Sequence, residues 1–328
     1  MNFADFCQYR DVVLRERGNV LNCAEMNLYR SLNRLIPQRP PSMAKTTHRC
    51  HLAAEWAERM RIPTTAHAAL CSSGVRDSLA TLFRHYSTAD TKLWLPTDNY
   101  PVYGEIAAAA GLDCNWFGTI PKPKWPSDKP TLQMELLLVS NPLKPLGRWL
   151  DPHDETALID WLNADSRRRL LLDTVYTFAT EFHSSTLRLL ETGQTILLHS
   201  LTKGWLHPKL FGIALVPNSD VATLMPCFRS NPPTQSSLAH ARDLLAHHSE
   251  MPIAISNELL GARSRLLSAV PTIPNSSVRP DSAPGYFVIV PRSADEWLNK
   301  RNVLGIPPTV FGASRTDLTV LSSLRFLE

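Results

Sequence analysis

The chain has 328 residues, of which 44% are hydrophobic and 20% charged, and a formal charge of +4. Enough apolar side chain is present for a sizeable core, which excludes a disordered chain. With about 100–200 residues per domain, the length suits one large α/β subunit or two interlocked domains. No run of five basic residues exists, and "DSRRRLLL" around Arg167, Arg168 and Arg169 is a solvated helix end before a strand, so no nucleic-acid partner is expected.

Cys7, Cys23, Cys50, Cys71, Cys114 and Cys227 show neither CxxC nor Cys/His ligand spacing, which argues against a zinc site or a disulfide framework and for free thiols in a reducing compartment. The amphipathic start "MNFADFCQYRDVVLRER" has no signal-peptide pattern, and no stretch approaches 18 apolar residues. A cytoplasmic protein with no membrane partner is the expectation.

In chain order, "AALCSSGVRDSLATLFRHY" is a short segment that turns into a helix at Ser73 and Gly74, and "TKLWLPTDNYPVYGEIAAAAGLDCNWF" is strand, loop, helix and strand. "TLQMELLLVSNP", "RRLLLDTVYTF" and "GQTILLHSLTK" are apolar runs of strand length, each closing on polar residues, as buried strands of a parallel sheet do. Between them, "DPHDETALIDWLNADS" and "TEFHSSTLRLLETG" have helical spacing, the first with Asp151 at the N-cap and Pro152 at the first helical position. After "NPPTQ" come a long helix through "AISNELLGARSRLLSAV", a Pro-rich link, "YFVIV", a helix and "DLTVLSSL". The expected fold class is α/β: a large domain over residues 45–245 with a mainly parallel (mixed) sheet flanked by helices, and a smaller α+β domain built from both chain ends, 1–44 and 246–328.

In an open parallel sheet, chemistry collects at the carboxyl ends of the strands. Asn141, Asp173, Tyr176, Ser200 and Lys203 all stand there, although each has an ordinary structural explanation as a turn initiator, a cap or a surface charge. Ser200 with Lys203 also matches the Ser-x-x-Lys of penicillin-recognising enzymes, but the Ser-Asp-Asn and Lys-Thr-Gly elements are missing downstream. Walker and dinucleotide fingerprints are absent as well.

Five segments in order resemble the fold-type I pyridoxal-phosphate enzymes related to class I and II aminotransferases: "SSGVRDSL", "LPTDNYPVYGEI", "SNPLKPLG", "LLLDTVYTF" and "HSLTKGWLHPKLFG". The resemblance implies a pyridoxal 5'-phosphate cofactor held by Lys203 as a Schiff base, with Asp173 against the pyridine nitrogen, Tyr176 and Asn141 at the ring's phenolic oxygen, and Tyr100 stacked on the ring. Gly74, Val75 and Ser200 would cradle the phosphate.

Two departures from the pattern concern charge. The arginine usually found two residues before the final glycine of the lysine segment is replaced by Leu210, leaving Lys209, His207 or Arg76 to meet the phosphate. In the last strand, Thr319 stands where an arginine for the substrate carboxylate is expected, so Arg315, with Asn27 near the N-terminus, is the candidate for the substrate. The implied activity is amino-group transfer on an amino acid or related amine by a homodimer. The alternative is elimination, cyclisation, decarboxylation or oxidation with the same cofactor in specialised metabolism. No metal is expected.

Overall fold

A computed structural model describes residues 1–36, 49–62, 65–87, 90–127, 129, 131–179, 181–207, 211–273 and 285–327. The chain begins with helix α1 (Phe3–Glu16), strand β1 (Leu21–Asn22), and helices α2 (Leu28–Ser31) and α3 (Arg49–Arg59). A βα alternation follows: β2 (His67–Ser72), α4 (Val75–Tyr86), β3 (Thr91–Pro96), α5 (Val102–Ala109), β4 (Cys114–Phe117), β5 (Met134–Ser140), α6 (Pro152–Asn163), β6 (Arg168–Asp173), α7 (Ser184–Glu191), β7 (Thr195–Ser200), the single turn α8 (Leu201–Gly204) and β8 (Gly212–Pro217). Helices α9 (Val221–Ser230), α10 (Gln235–His247) and α11 (Met251–Ala269) lead to β9 (Phe287–Pro291), α12 (Ala294–Arg301), β10 (Val303–Leu304) and β11 (Leu318–Ser322).

Strands β2 to β8 form one seven-stranded sheet in the order β2-β8-β7-β6-β5-β3-β4. Only β8 runs against its neighbours, so the sheet is mixed and mainly parallel, as expected. The three apolar runs are β5, β6 and β7, and their alternate residues point to opposite faces. Leu136, Leu138, Leu171 and Leu198 pack with α4, α5 and α9, whereas Leu137, Val139, Leu170 and Leu172 pack with α6 and α7. Burial on both faces explains why these strands carry continuous hydrophobic runs rather than an alternating pattern.

Helix α6 starts where expected. Asp151 accepts the N–H groups of His153 and Asp154 at 3.1 and 3.0 Å, and Pro152 fills the first position. The chain ends meet elsewhere: β1 pairs parallel with β10, and β9 pairs antiparallel with β11.

One ion pair is enclosed by the sheet and α6. Arg168 and Glu135, with side chains 1% and 3% exposed, meet at 2.8 Å across β5 and β6. Arg168 also donates to the carbonyl oxygens of Trp161 at 2.7 Å and Lys129 at 2.6 Å. Removing one partner of such a pair strands the other charge without water. Glu135→Ala is expected to lower the unfolding free energy by about 3–5 kcal/mol, measured by denaturant titration; a loss below about 1 kcal/mol, the range of an exposed pair, would show that Arg168 is satisfied without the carboxylate.

Candidate active site

The sheet register decides which strand ends meet. Ser140 of β5 lies opposite Asp173 of β6, while Ser200 of β7 and Ser72 of β2 both lie opposite Gly212, the first residue of β8. A cavity of about 370 Å³ opens over this rim. It brings together Gly74, Val75, Tyr100, Asp173, Tyr176, Ser200 and Lys203, seven of the residues expected from the sequence.

Two glycines shape one wall. Gly74 has φ +127°, a conformation side chains rarely adopt, and a Cβ on Gly212 would stand 2.5 Å from the Gly74 Cα. The backbone before α4 therefore lies directly on the start of β8, with Ser73, Gly74 and Val75 in the cavity wall. Arg76, in the first turn of α4, also lines it, with its guanidinium carbon 5.2 Å from the centre of the Tyr100 ring.

Asp173 is 5% exposed. Its Oδ2 accepts the Tyr103 hydroxyl at 2.5 Å and its Oδ1 accepts the Val175 N–H at 3.0 Å. Burial pushes the carboxyl up from its usual range, and the Tyr103 and Val175 donors and Lys144 only partly offset this. Lys203 sits on α8, whose N-cap Ser200 accepts the Thr202 N–H at 3.4 Å. Burial first, and the Arg76 charge second, hold the Lys203 amine below its ordinary value. Its Nζ lies 5.5 Å from the centre of the Tyr176 ring, whose hydroxyl is 3.1 Å from that of Tyr286.

Several expected residues are placed otherwise. Asn141 is fully buried and turned away from the cavity: its amide donates to Ser185 and Thr186 of α7 at 3.0 and 2.9 Å, and its oxygen accepts the Leu150 N–H at 3.1 Å. It fastens the turn after β5 to α7. Asn27 caps α2 by accepting the Arg30 N–H at 3.1 Å, and the half-buried Arg315 donates through Nε and Nη2 to Asp317 at 2.6 Å; neither lines the cavity. His207 packs on His240, their ring centres 4.1 Å apart, and does not line it either. Lys209 and Leu210 lie outside the described residues.

Tyr103 and Lys144 were not singled out from the sequence, yet both line the cavity. Tyr103 follows Tyr100 by three residues, a spacing that can bring both to one side of a helix start. For Lys144, between two prolines in a turn, no sequence pattern gives a direction.

Because burial raises the Asp173 carboxyl, the folded chain holds this proton more tightly than the unfolded one. The group costs stability as pH rises above about 4 and through its raised folded value. Asp173→Asn is therefore expected to stabilise the ligand-free protein at pH 7, with the gain shrinking toward pH 4, in denaturant unfolding curves across that range. A less stable variant at pH 7 would mean that ion pairing with Lys144 outweighs burial.

No family profile and no curated protein matches this sequence. Solved structures do match. An Escherichia coli protein with a methionine aminotransferase function aligns at 18% identity over 97% of this chain and 92% of its own, with a TM-score of 0.70. An aminotransferase from Mycobacterium tuberculosis aligns at 18% identity over 99% and 94%, with a TM-score of 0.70. An aromatic aminotransferase from Pyrococcus horikoshii aligns at 15% identity over 94% and 91%, with a TM-score of 0.65. Their shared architecture and the seven-stranded mixed sheet described above lead to one conclusion: this chain has the aminotransferase α/β fold.

Proposed function

We propose that the protein is a pyridoxal-phosphate-dependent aminotransferase that moves an amino group between an amino acid or related amine and a keto acid, with the cofactor carried on Lys203. The observation that carries this reading is the meeting of a buried carboxylate, Asp173, and a half-buried amine, Lys203, in one cavity walled by a helix N-terminus at Gly74 and Val75. The likeness of fold to the aminotransferases supports it.

The lining fits the cofactor by its chemistry. The N–H groups that open α4, the Arg76 guanidinium and the Ser200 and Thr202 hydroxyls are donors suited to a phosphate. Asp173, short of compensation for its burial, would hold a proton on a ring nitrogen, with Tyr103 keeping the carboxylate oriented. The cofactor, when bound, supplies the electron sink for bond changes at the substrate's α-carbon.

Lys203 is suited to two tasks. Its lowered pKa leaves more of the amine unprotonated near neutral pH, as a nucleophile requires, and the same amine, once released, can carry the α-proton. Tyr100 and Tyr176 bound the space in which a planar ring would lie. Lys209 belongs to this proposal as a further phosphate partner. Asn27 and Arg315 have no part in it within a single chain.

The same reading includes a large domain of residues 45–245, a small one of residues 1–44 and 246–328, a homodimer and a cytoplasmic location. The β1–β10 pairing supports the joining of the chain ends, and the free thiols of Cys7, Cys23, Cys71, Cys114 and Cys227 support a reducing compartment. Among the described residues no helix is long and apolar enough to cross a membrane.

Borohydride reduction of the loaded protein should fix the cofactor to residue 203, and Lys203→Ala should abolish that covalent product while remaining folded. A fixed cofactor in Lys203→Ala would assign the anchoring amine elsewhere. An amino donor alone should bleach the visible band once and stop until a keto acid is added. Continuous turnover without an acceptor would instead identify elimination, decarboxylation or oxidation.

A further inference from the structure

The cavity holds a second amine that the proposed function does not use. Lys144 lies on the turn between β5 and α6, which is closed by hydrogen bonds from Leu143 N–H to the Arg148 oxygen at 2.8 Å and from Gly147 N–H to the Leu143 oxygen at 2.9 Å. The Lys144 N–H itself donates to Ser140 Oγ at 3.3 Å, on the strand end that pairs with Asp173. Its Nζ rests against the ring of Tyr176, the ring that Lys203 Nζ also approaches.

The charges around this amine do not balance. Asp173 of β6 is the only carboxylate in the lining among the described residues, which also carries Lys144, Lys203 of α8 and Arg76 of α4, and of these three cations it is Lys144 that Asp173 acts on. Tyr103 of α5 already occupies one oxygen of that carboxylate. Burial first and the Lys203 charge second push the Lys144 amine well below its ordinary value, while Asp173 draws it back. An enclosed ammonium costs several kcal/mol unless an anion meets it. The lining therefore carries three basic side chains against one carboxylate among the described residues, with Lys144 on the side where Tyr176 stands.

Asn141 cannot fill that side without giving up bonds to α7. Both donors and the acceptor of its amide are engaged at 2.9–3.1 Å, and leaving them unpaired in the interior would be destabilising.

We infer that Lys144, and not Asn141, faces the ring oxygen of bound pyridoxal phosphate beside Tyr176, as an ammonium neutralised by that oxygen. The inference rests on the cofactor reading and adds a further catalytic residue to it. A neutral amide at this place would contribute a hydrogen bond alone. An ammonium contributes a full charge, which disfavours a proton on the neighbouring cofactor linkage and so lowers the pH at which the visible band changes.

The full chain, loaded with pyridoxal phosphate, is titrated by visible absorbance as the parent protein, Lys144→Gln and Lys144→Arg, with a denaturant melt of each to establish folding. The midpoint of Lys144→Gln should rise by about one pH unit or more, and that of Lys144→Arg should stay near the parent's. A Lys144→Gln midpoint equal to the parent's overturns the inference while leaving the cofactor reading intact, since the band is present. Absence of any band in the parent overturns the cofactor reading instead. If Lys144→Gln does not retain the cofactor, the parent decides alone: nitrogen-15 spectra of labelled lysine should show Lys144 as an ammonium in the loaded protein near neutral pH. A neutral Lys144 amine in that state overturns the inference.

Discussion

Three central strands buried on both faces, β5, β6 and β7, constrain everything else in this molecule. Polar side chains cannot be accommodated between Leu136 and Val139, Leu170 and Leu172, or Ile196 and Leu198, because each of these residues is essentially inaccessible to water. The first polar groups available to solvent or ligand come where the strands stop, at Ser140, Asp173 and Ser200. Parallel pairing of β5, β6 and β7 sets those stops side by side, and antiparallel β8 brings Gly212 into the same row from the opposite direction. The site is thus a consequence of sheet register before it is a matter of side-chain chemistry.

The electrostatics of that rim are unusual for a protein interior. A buried carboxyl normally finds a cation and a buried amine an anion, because a buried charge left without a partner is strongly destabilising. Here Arg76, Lys144 and Lys203 line one cavity with a single acid among the described residues, Asp173, and burial shifts both the carboxyl and the two amines toward their neutral forms. Groups held away from their preferred charge state in a cleft are a feature of functional sites. They are prepared to charge when a ligand with complementary groups arrives, and an anionic molecule with a protonatable ring nitrogen has that complement.

Rigidity around the rim comes from hydrogen bonds in and behind the cavity wall. Asn141 ties the turn after β5 to α7, Tyr103 fixes the carboxylate of Asp173 from α5, and Asn99 donates to Ser140 Oγ at 2.9 Å from the loop after β3. A polar residue that looks catalytic by its place in a motif can therefore be structural. Lys144 shows the opposite placement: in sequence it is one lysine in a turn between two prolines, and the fold brings it into the cavity lining.

The sequence by itself determined the apolar runs that become β5, β6 and β7 and their polar ends, because burial on both faces demands continuous apolar runs, and local capping chemistry, as at Asp151 and Pro152, marks where helices begin; the order of the strands in the sheet came from the tertiary structure. It also put Asp173, Tyr176, Ser200 and Lys203 at one rim, since those positions follow directly from strand ends. Only the tertiary structure decided that Asn141 turns to α7 while Lys144 turns inward, that Tyr103 reaches Asp173, and that Arg315 spends its charge on Asp317. The physical reason is that periodicity reports which face of a local element is buried, whereas the direction of a side chain in a turn is set by partners far away in the chain: residue 141 by residues 185 and 186, and residue 103 by residue 173.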